Sequence, residues 1–164
     1  MPLLTLLGAM ALGQAAKAEP VQLQLQTHIY EAEGTVKIES QGTMVRRGGM
    51  TTALGVDMDR LHKDNKLREI SAPTIRTISG MPCQVKLTSD VEGYTLGFTP
   101  KLEAAGEVSL RTDISLSHDG VIDFTQIANS KIYLDQPALI MPRDAKRHLL
   151  VVVTVSKVAS GSKR

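Results

Sequence analysis

Leu67-Arg-Glu-Ile-Ser-Ala-Pro-Thr-Ile-Arg-Thr-Ile-Ser-Gly-Met-Pro-Cys-Gln-Val-Lys-Leu87, followed by Gly93-Tyr-Thr-Leu-Gly-Phe-Thr-Pro-Lys-Leu102, is the stretch on which the fold turns. Short segments rich in Ile, Thr, Val and Leu are punctuated there by Pro73, by Ser79-Gly80-Met81-Pro82 and by Pro100. Proline has no N–H to donate and pushes its predecessor toward extended geometry. Residues 67–71 and 74–78 therefore read as two strand segments, 79–82 as a turn and 83–88 as the returning strand. Residues 93–99 alternate, with Tyr94, Leu96 and Phe98 on one side. Residues 108–117 alternate more cleanly still: Val108, Leu110, Thr112, Ile114 and Leu116 oppose Ser109, Arg111, Asp113, Ser115 and Ser117. A period of two marks a half-buried strand, and residues 103–107 between them form a hairpin loop.

Working outward, residues 21–30 alternate as a strand, with Val21, Leu23, Leu25, Thr27 and Ile29 against Gln22, Gln24, Gln26, His28 and Tyr30. Residues 31–34 read as a turn and 35–40 as a second strand. Residues 41–50, which contain Arg46-Arg47-Gly48-Gly49, read as a loop. Residues 51–66 read as the one helix, because Leu54, Met58 and Leu61 lie on one face at spacings of four and three. On the C-terminal side His118-Asp119-Gly120 is a turn and residues 121–127 a short strand or edge segment. Short apolar pieces follow at 131–134 and 138–141. The run Leu149-Leu-Val-Val-Val-Thr-Val155 suits a strand covered on both faces. The expected fold is mainly β, with one short helix and antiparallel sheets arranged as a sandwich of hairpins.

The chain has 164 residues, which suffices for one domain with a real core. With 42% hydrophobic but only 3% aromatic residues and no tryptophan, that core has to be built from Val, Ile, Leu and Met. Lys and Arg number 19 against 17 Asp and Glu, so no concentrated basic charge points to nucleic acid. Residues 1–18 carry an apolar run from Leu3 to Leu12 and small residues at Ala16 and Ala18, the pattern of a secretory signal peptide. That run is shorter than the roughly 20 residues that span a bilayer. A buried N-terminal helix is the competing reading. The expected organisation is a leader at 1–18, one β domain at 19–158 and a polar tail at 159–164. Cys83 is the only cysteine, so no intramolecular disulfide can form, and its place in the Val85 and Leu87 alternation gives it the role of a small buried hydrophobe.

Catalytic chemistry is not written into this sequence. His28, His62, His118 and His148 are far apart and show no metal-ligand spacing, and no nucleophile elbow or phosphate-binding glycine loop occurs. The expectation is a protein with no catalytic residue, metal or cofactor. Arg46 and Arg47 are the candidate contact for an anionic partner, set against the plainer reading of a solvated basic loop.

The order of these elements resembles the core of the bacterial secretins, the multimeric outer-membrane channels of type II and III secretion and type IV pilus systems. In that family a short helix leads into a Leu-Ser-x-Pro strand, then a strand, a tight turn and another strand. Residues 58–66, Ile70-Ser-Ala-Pro73, Thr74 to Ile78, Ser79-Gly-Met-Pro82 and Cys83 to Leu87 are similar in order. The family's Gly-x-x-Leu-x-x-x-Pro element resembles Gly93-Tyr-Thr-Leu96 with Phe98-Thr-Pro100, and its last strand resembles Arg147-His-Leu-Leu-Val-Val-Val-Thr154. The resemblance covers about residues 21–157, and its defining positions are Pro73, Gly80, Pro82, Gly93 and Pro100, read as the backbone constraints that set the turns. It implies an exported protein of the periplasm or outer membrane. Such a protein is a structural or assembly component that associates with itself or with other envelope proteins of a secretion system. Three departures speak against a gated channel. Thr88-Ser-Asp-Val-Glu92 replaces the long insertion that supplies gate hairpins. The Val-Pro-x-Leu-Gly stretch before the last strand is absent, and these 164 residues hold no periplasmic ring domains. The alternative is a monomeric periplasmic β-sandwich that engages a peptide or partner protein by adding it to a sheet edge.

Overall fold

The structure, a computed structural model, describes residues 18–38, 42–47, 49–143, 145 and 148–160. The leader expected at 1–18 lies outside them except for Ala18, as does most of the tail expected at 159–164.

Eleven strands and one α-helix make up the described chain. The strands are β1 (Gln22–Ala32), β2 (Thr43–Arg47), β3 (Met50–Leu54), β4 (Leu67–Ser71), β5 (Thr74–Ile78), β6 (Cys83–Thr88), β7 (Glu92–Leu102), β8 (Glu107–His118), β9 (Val121–Tyr133), β10 (Ala138–Pro142) and β11 (Leu149–Lys157); the helix α1 is Met58–Asp64. The protein is mainly β, and all strand pairs are antiparallel. The first sheet runs β2-β3-β10-β11-β1-β4, with β5 pairing the other end of β1 beside β4. The second sheet is the meander β6-β7-β8-β9.

The two sheets pack face to face. Leu23, Leu25 and Ile29 of β1 and Leu149, Val151, Val153 and Val155 of β11 share one buried cluster with Leu96 and Phe98 of β7 and Leu110 and Ile114 of β8. A second cluster lies on the opposite face of the first sheet, where Tyr30, Ala53, Leu139, Leu150 and Val152 are covered by Leu61 of α1 and by Val56 and Ile38. The strand β11 is therefore covered on both faces, as its continuous apolar run requires.

Four local expectations need correction. Among residues 35–40, the described residues 35–38 are not a strand; Val36 and Ile38 instead pack as irregular backbone on the helix-side cluster. Within the stretch 41–50, expected as a loop, residues 43–47 are a strand, because Thr43–Arg47 and Met50–Leu54 form an antiparallel hairpin. The helix is far shorter than 51–66. Met50 to Ala53 are buried on both faces of a central strand, so every position accepts an apolar or hydroxyl side chain and no alternation appears. The helix begins only after Gly55, which has φ +68°, and Asp57, whose Oδ1 accepts the Arg60 N–H at 3.1 Å as an N-cap. Farther on, the apolar pieces at 121–127 and 131–134 belong to a single edge strand of 13 residues.

The hairpins follow elementary turn chemistry. Asp119 and Gly120 both have positive φ, at +49° and +78°, and form a two-residue link between β8 and β9, the primed geometry that matches strand twist. The link from β6 to β7 is equally tight, with the Ser89 N–H donating to the Glu92 carbonyl at 2.7 Å.

One buried polar atom is out of step with this core. Thr112 is 1% exposed on β8, opposite Phe98 and Ala128, and its Oγ1 has no hydrogen-bond partner. A buried hydroxyl left unpaired costs about 1–3 kcal/mol. Thr112→Val replaces the hydroxyl with a methyl group of similar size and is expected to stabilise the protein by about 1 kcal/mol. Urea melts should show the midpoint rising with an unchanged slope; an unchanged or lower midpoint would mean that the hydroxyl is satisfied in solution.

Candidate functional site

The edge of the first sheet at β4 brings together ionisable side chains of β1, β4 and α1. Strands β4 and β5 run along β1 as one interrupted strand. The pairing of Gln26 with Thr74 and of Ile29 with Ser71 keeps a single register across Ala72-Pro73, and the shift comes one step later, between Ile29 and Tyr30. The Pro73 carbonyl accepts both the Thr27 N–H at 3.0 Å and the Thr27 hydroxyl at 2.8 Å. Proline thus loses one ladder bond without breaking the strand's path. The register shift marks a β-bulge, which bends the strand locally.

On the helix side of this edge, three elements meet. His28 Nδ1 of β1 lies 3.1 Å from Glu69 Oε2 of β4. The His28 ring stacks on Tyr30 at a centroid distance of 6.2 Å, and His62 of α1 meets the other side of Tyr30 edge-on at 5.1 Å. The His28 hydrogen bond, with a further bond from the Tyr30 hydroxyl, holds the Glu69 carboxyl below its ordinary range. Tyr30 is 3% exposed, and burial, with the Glu69 charge beside it, pushes its phenol up to about 12.

On the sandwich side of the same edge, a cleft of about 520 Å³ opens between β4 and the β6–β7 hairpin. Ile70, Leu87 and Tyr94 supply its apolar lining, and Arg68, Lys86 and Glu92 stand at its rim. Arg68 is hydrogen-bonded to Glu31, which raises the guanidinium pKa.

The opposite edge of the sheet is β2. All five of its residues, Thr43 to Arg47, are exposed, and among the described strands it pairs with β3 alone. Arg46 pairs with Thr51 and Arg47 with Met50, so the two guanidinium groups project to opposite faces of an edge strand rather than from a loop. They lie across the whole first sheet from Pro73, which links β4 to β5.

Of the other proline and glycine positions singled out in the sequence, Gly80 and Pro82 sit in the turn between β5 and β6, where Gly80 has φ +86°. Gly93 and Pro100 do not set turns; both lie within β7. Gly93 faces Ser117 so closely that a Cβ there would collide with the Ser117 hydroxyl. The Pro100 carbonyl accepts the Gly80 N–H at 2.7 Å, beyond the last β6–β7 pair. Its missing N–H therefore points where no ladder partner exists. Cys83 is half-buried against the sandwich core, and burial pushes its thiol pKa up. Among the described residues, no three of His, Cys, Asp and Glu converge as a metal site, and no helix is long and apolar enough to cross a membrane.

These features define an antiparallel β-sandwich with two open edges on one sheet. Comparison with protein-family models, with curated protein sequences and with solved structures finds no match.

The cluster around Tyr30 makes a specific alkaline prediction. A phenol raised from 10.0 to about 12 contributes stability that is complete below pH 10 and is lost as pH rises toward 12, because the unfolded chain releases that proton first. Ultraviolet titration should show one of the three tyrosines ionising near pH 12, and Tyr30→Phe should remove that phase and flatten the loss of stability above pH 10. Ionisation of all three near pH 10 would overturn the burial account.

Proposed function

We propose that this chain is an exported structural component of the cell envelope that works by associating with copies of itself. In this reading it is a secretin-like assembly element of a type II or III secretion or pilus-type system. The observation that carries the proposal is β2, a regular strand exposed along its whole length and paired on one side only. A strand with one unpaired edge and no buried residue offers a row of backbone donors and acceptors to another sheet. The sequence order that resembles the secretin core supports the same reading. A gate is not part of the proposal: the link between β6 and β7, where secretins carry gate hairpins, is a tight turn closed by the Ser89 to Glu92 bond.

A second reading is favoured by one feature, the cleft between β4 and the β6–β7 hairpin. Its apolar lining lies beside the unpaired edge of β4, so a monomer could take up an extended peptide there by strand addition.

Light scattering of the purified chain, in buffer and then with lipid or mild detergent, separates the two. Self-association predicts a discrete species several times the 17.7 kDa chain mass in at least one condition. A strict monomer throughout would sink the assembly reading and leave the peptide-binding sandwich as the better account.

A further inference from the structure

The self-association reading leaves open which edges meet, and the topology is informative on that point. The path β2-β3-β10-β11-β1-β4 contains six strands, each antiparallel to the next. With an even number of strands, the two end strands run in opposite directions. When copies are placed side by side in the same orientation, β4 of one and β2 of the next are therefore antiparallel, and the sheet continues without a break in its pattern.

The other edges adjoin the opposite sheet. Strand β5 leads through the turn at residues 79–82 into β6, so its end is held near the second sheet. The middle of β9 is tied to the first sheet. There Thr52 and Ser130 hydroxyls meet at 2.8 Å, and the Gln126 amide bonds the Arg143 backbone at 2.8 and 3.2 Å. Strands β2 and β4, each five residues long, are the two ends of the six-strand path.

We infer that β2 of one copy pairs antiparallel with β4 of the next, in the register that sets Arg46 opposite Glu69 and Val45 opposite Ile70. The faces agree. Arg46 shares the side of β2 that Ala53 of β3 presents to the helix-side cluster, and Glu69 lies opposite Tyr30 on that same side. Val45 lies opposite Thr52, which reaches Ser130 on the sandwich side, and Ile70 packs on the sandwich core at the mouth of the cleft. One apolar pair thus covers the cleft, and one opposite-charge pair lies across the new ladder. In this register Arg47 comes opposite Arg68, whose charge is already met by Glu31. Pairing of β2 with another β2 about Val45 would supply no acid to either arginine and would leave β4 open. Joining unlike edges builds rings or open filaments rather than a closed pair.

This inference rests on the self-association reading, and disulfide trapping in a Cys83→Ala background separates the two. The double variant Val45→Cys/Ile70→Cys should give a covalent ladder extending beyond dimer on a non-reducing gel, whereas either single variant should give no linked species. Arg47→Cys/Arg68→Cys provides a second pair that leaves Ile70 and its packing intact. A linked dimer from Val45→Cys alone would overturn the inference in favour of like edges. Oligomers by light scattering with no ladder from either pair would overturn the edge assignment while leaving self-association standing. A monomer under all conditions would overturn both.

Discussion

The strand β11 is the constraint on which the rest of the molecule depends. Leu149, Val151, Val153 and Val155 enter the sandwich, while Leu150 and Val152 enter the helix-side layer, and none of the six is more than 2% exposed. Burying one such side chain is worth about 1.5–3 kcal/mol. A sheet built around such a strand cannot leave either face to water. The second sheet covers one face, and α1 with the irregular segment at Val36 and Ile38 covers the other. The pairing of β1 with β11 over nine positions then sets the direction and height of every other strand in the sheet.

Covering both faces of that sheet leaves its edges as the remaining surface of unsatisfied backbone. Half of that edge problem is solved inside the molecule. Residues 79–82 link β5 to β6 by a tight turn, and the Thr52, Ser130 and Gln126 contacts tie β9 to the first sheet. Strands β2 and β4 are treated differently. Both carry charge, Arg46 and Arg47 on one and Arg68 and Glu69 on the other. Charge on an edge strand discourages indiscriminate pairing, yet it admits a neighbour whose charges complement it. A cleft lined by Ile70, Leu87 and Tyr94 lies beside β4, so that edge has depth as well as backbone to offer.

Much of this fold was legible in the sequence, and the exceptions share a cause. Strands with one wet face, β7 and β8 above all, announced themselves by alternation, and β11 by its unbroken apolar run. The reading failed at β3, where burial on both faces and a length of five residues erase the period of two. Leu54, Met58 and Leu61 then mimicked a helical stripe across the β3–α1 boundary. Gly55 and Asp57, a left-handed residue and an N-cap, were the signals that would have separated the two elements. The charged pair Arg46-Arg47 beside Gly48-Gly49 suggested a loop, although the same glycines suit a hairpin. The polar cluster of the candidate site was not legible. His28 and Tyr30 are two residues apart on one strand face, but Glu69 and His62 reach them only through sheet pairing and helix docking.

The proline and glycine positions show how a sequence resemblance and a physical requirement can coincide. Pro73 is tolerated because its carbonyl still takes two bonds from Thr27 and its strand lies at an edge. Pro100 is tolerated because its ring faces the stretch of β7 that β6 does not reach. At Gly93 a side chain would displace the Ser117 hydroxyl. Each residue meets a local demand that any sandwich with this strand order would make, so none of them singly carries information about function. The six-strand path places β4 at one end of the sheet and β2 at the other. In a sheet of six alternating strands, those two ends are complementary in direction by construction. Chemistry at the two edges then decides whether that complementarity is used.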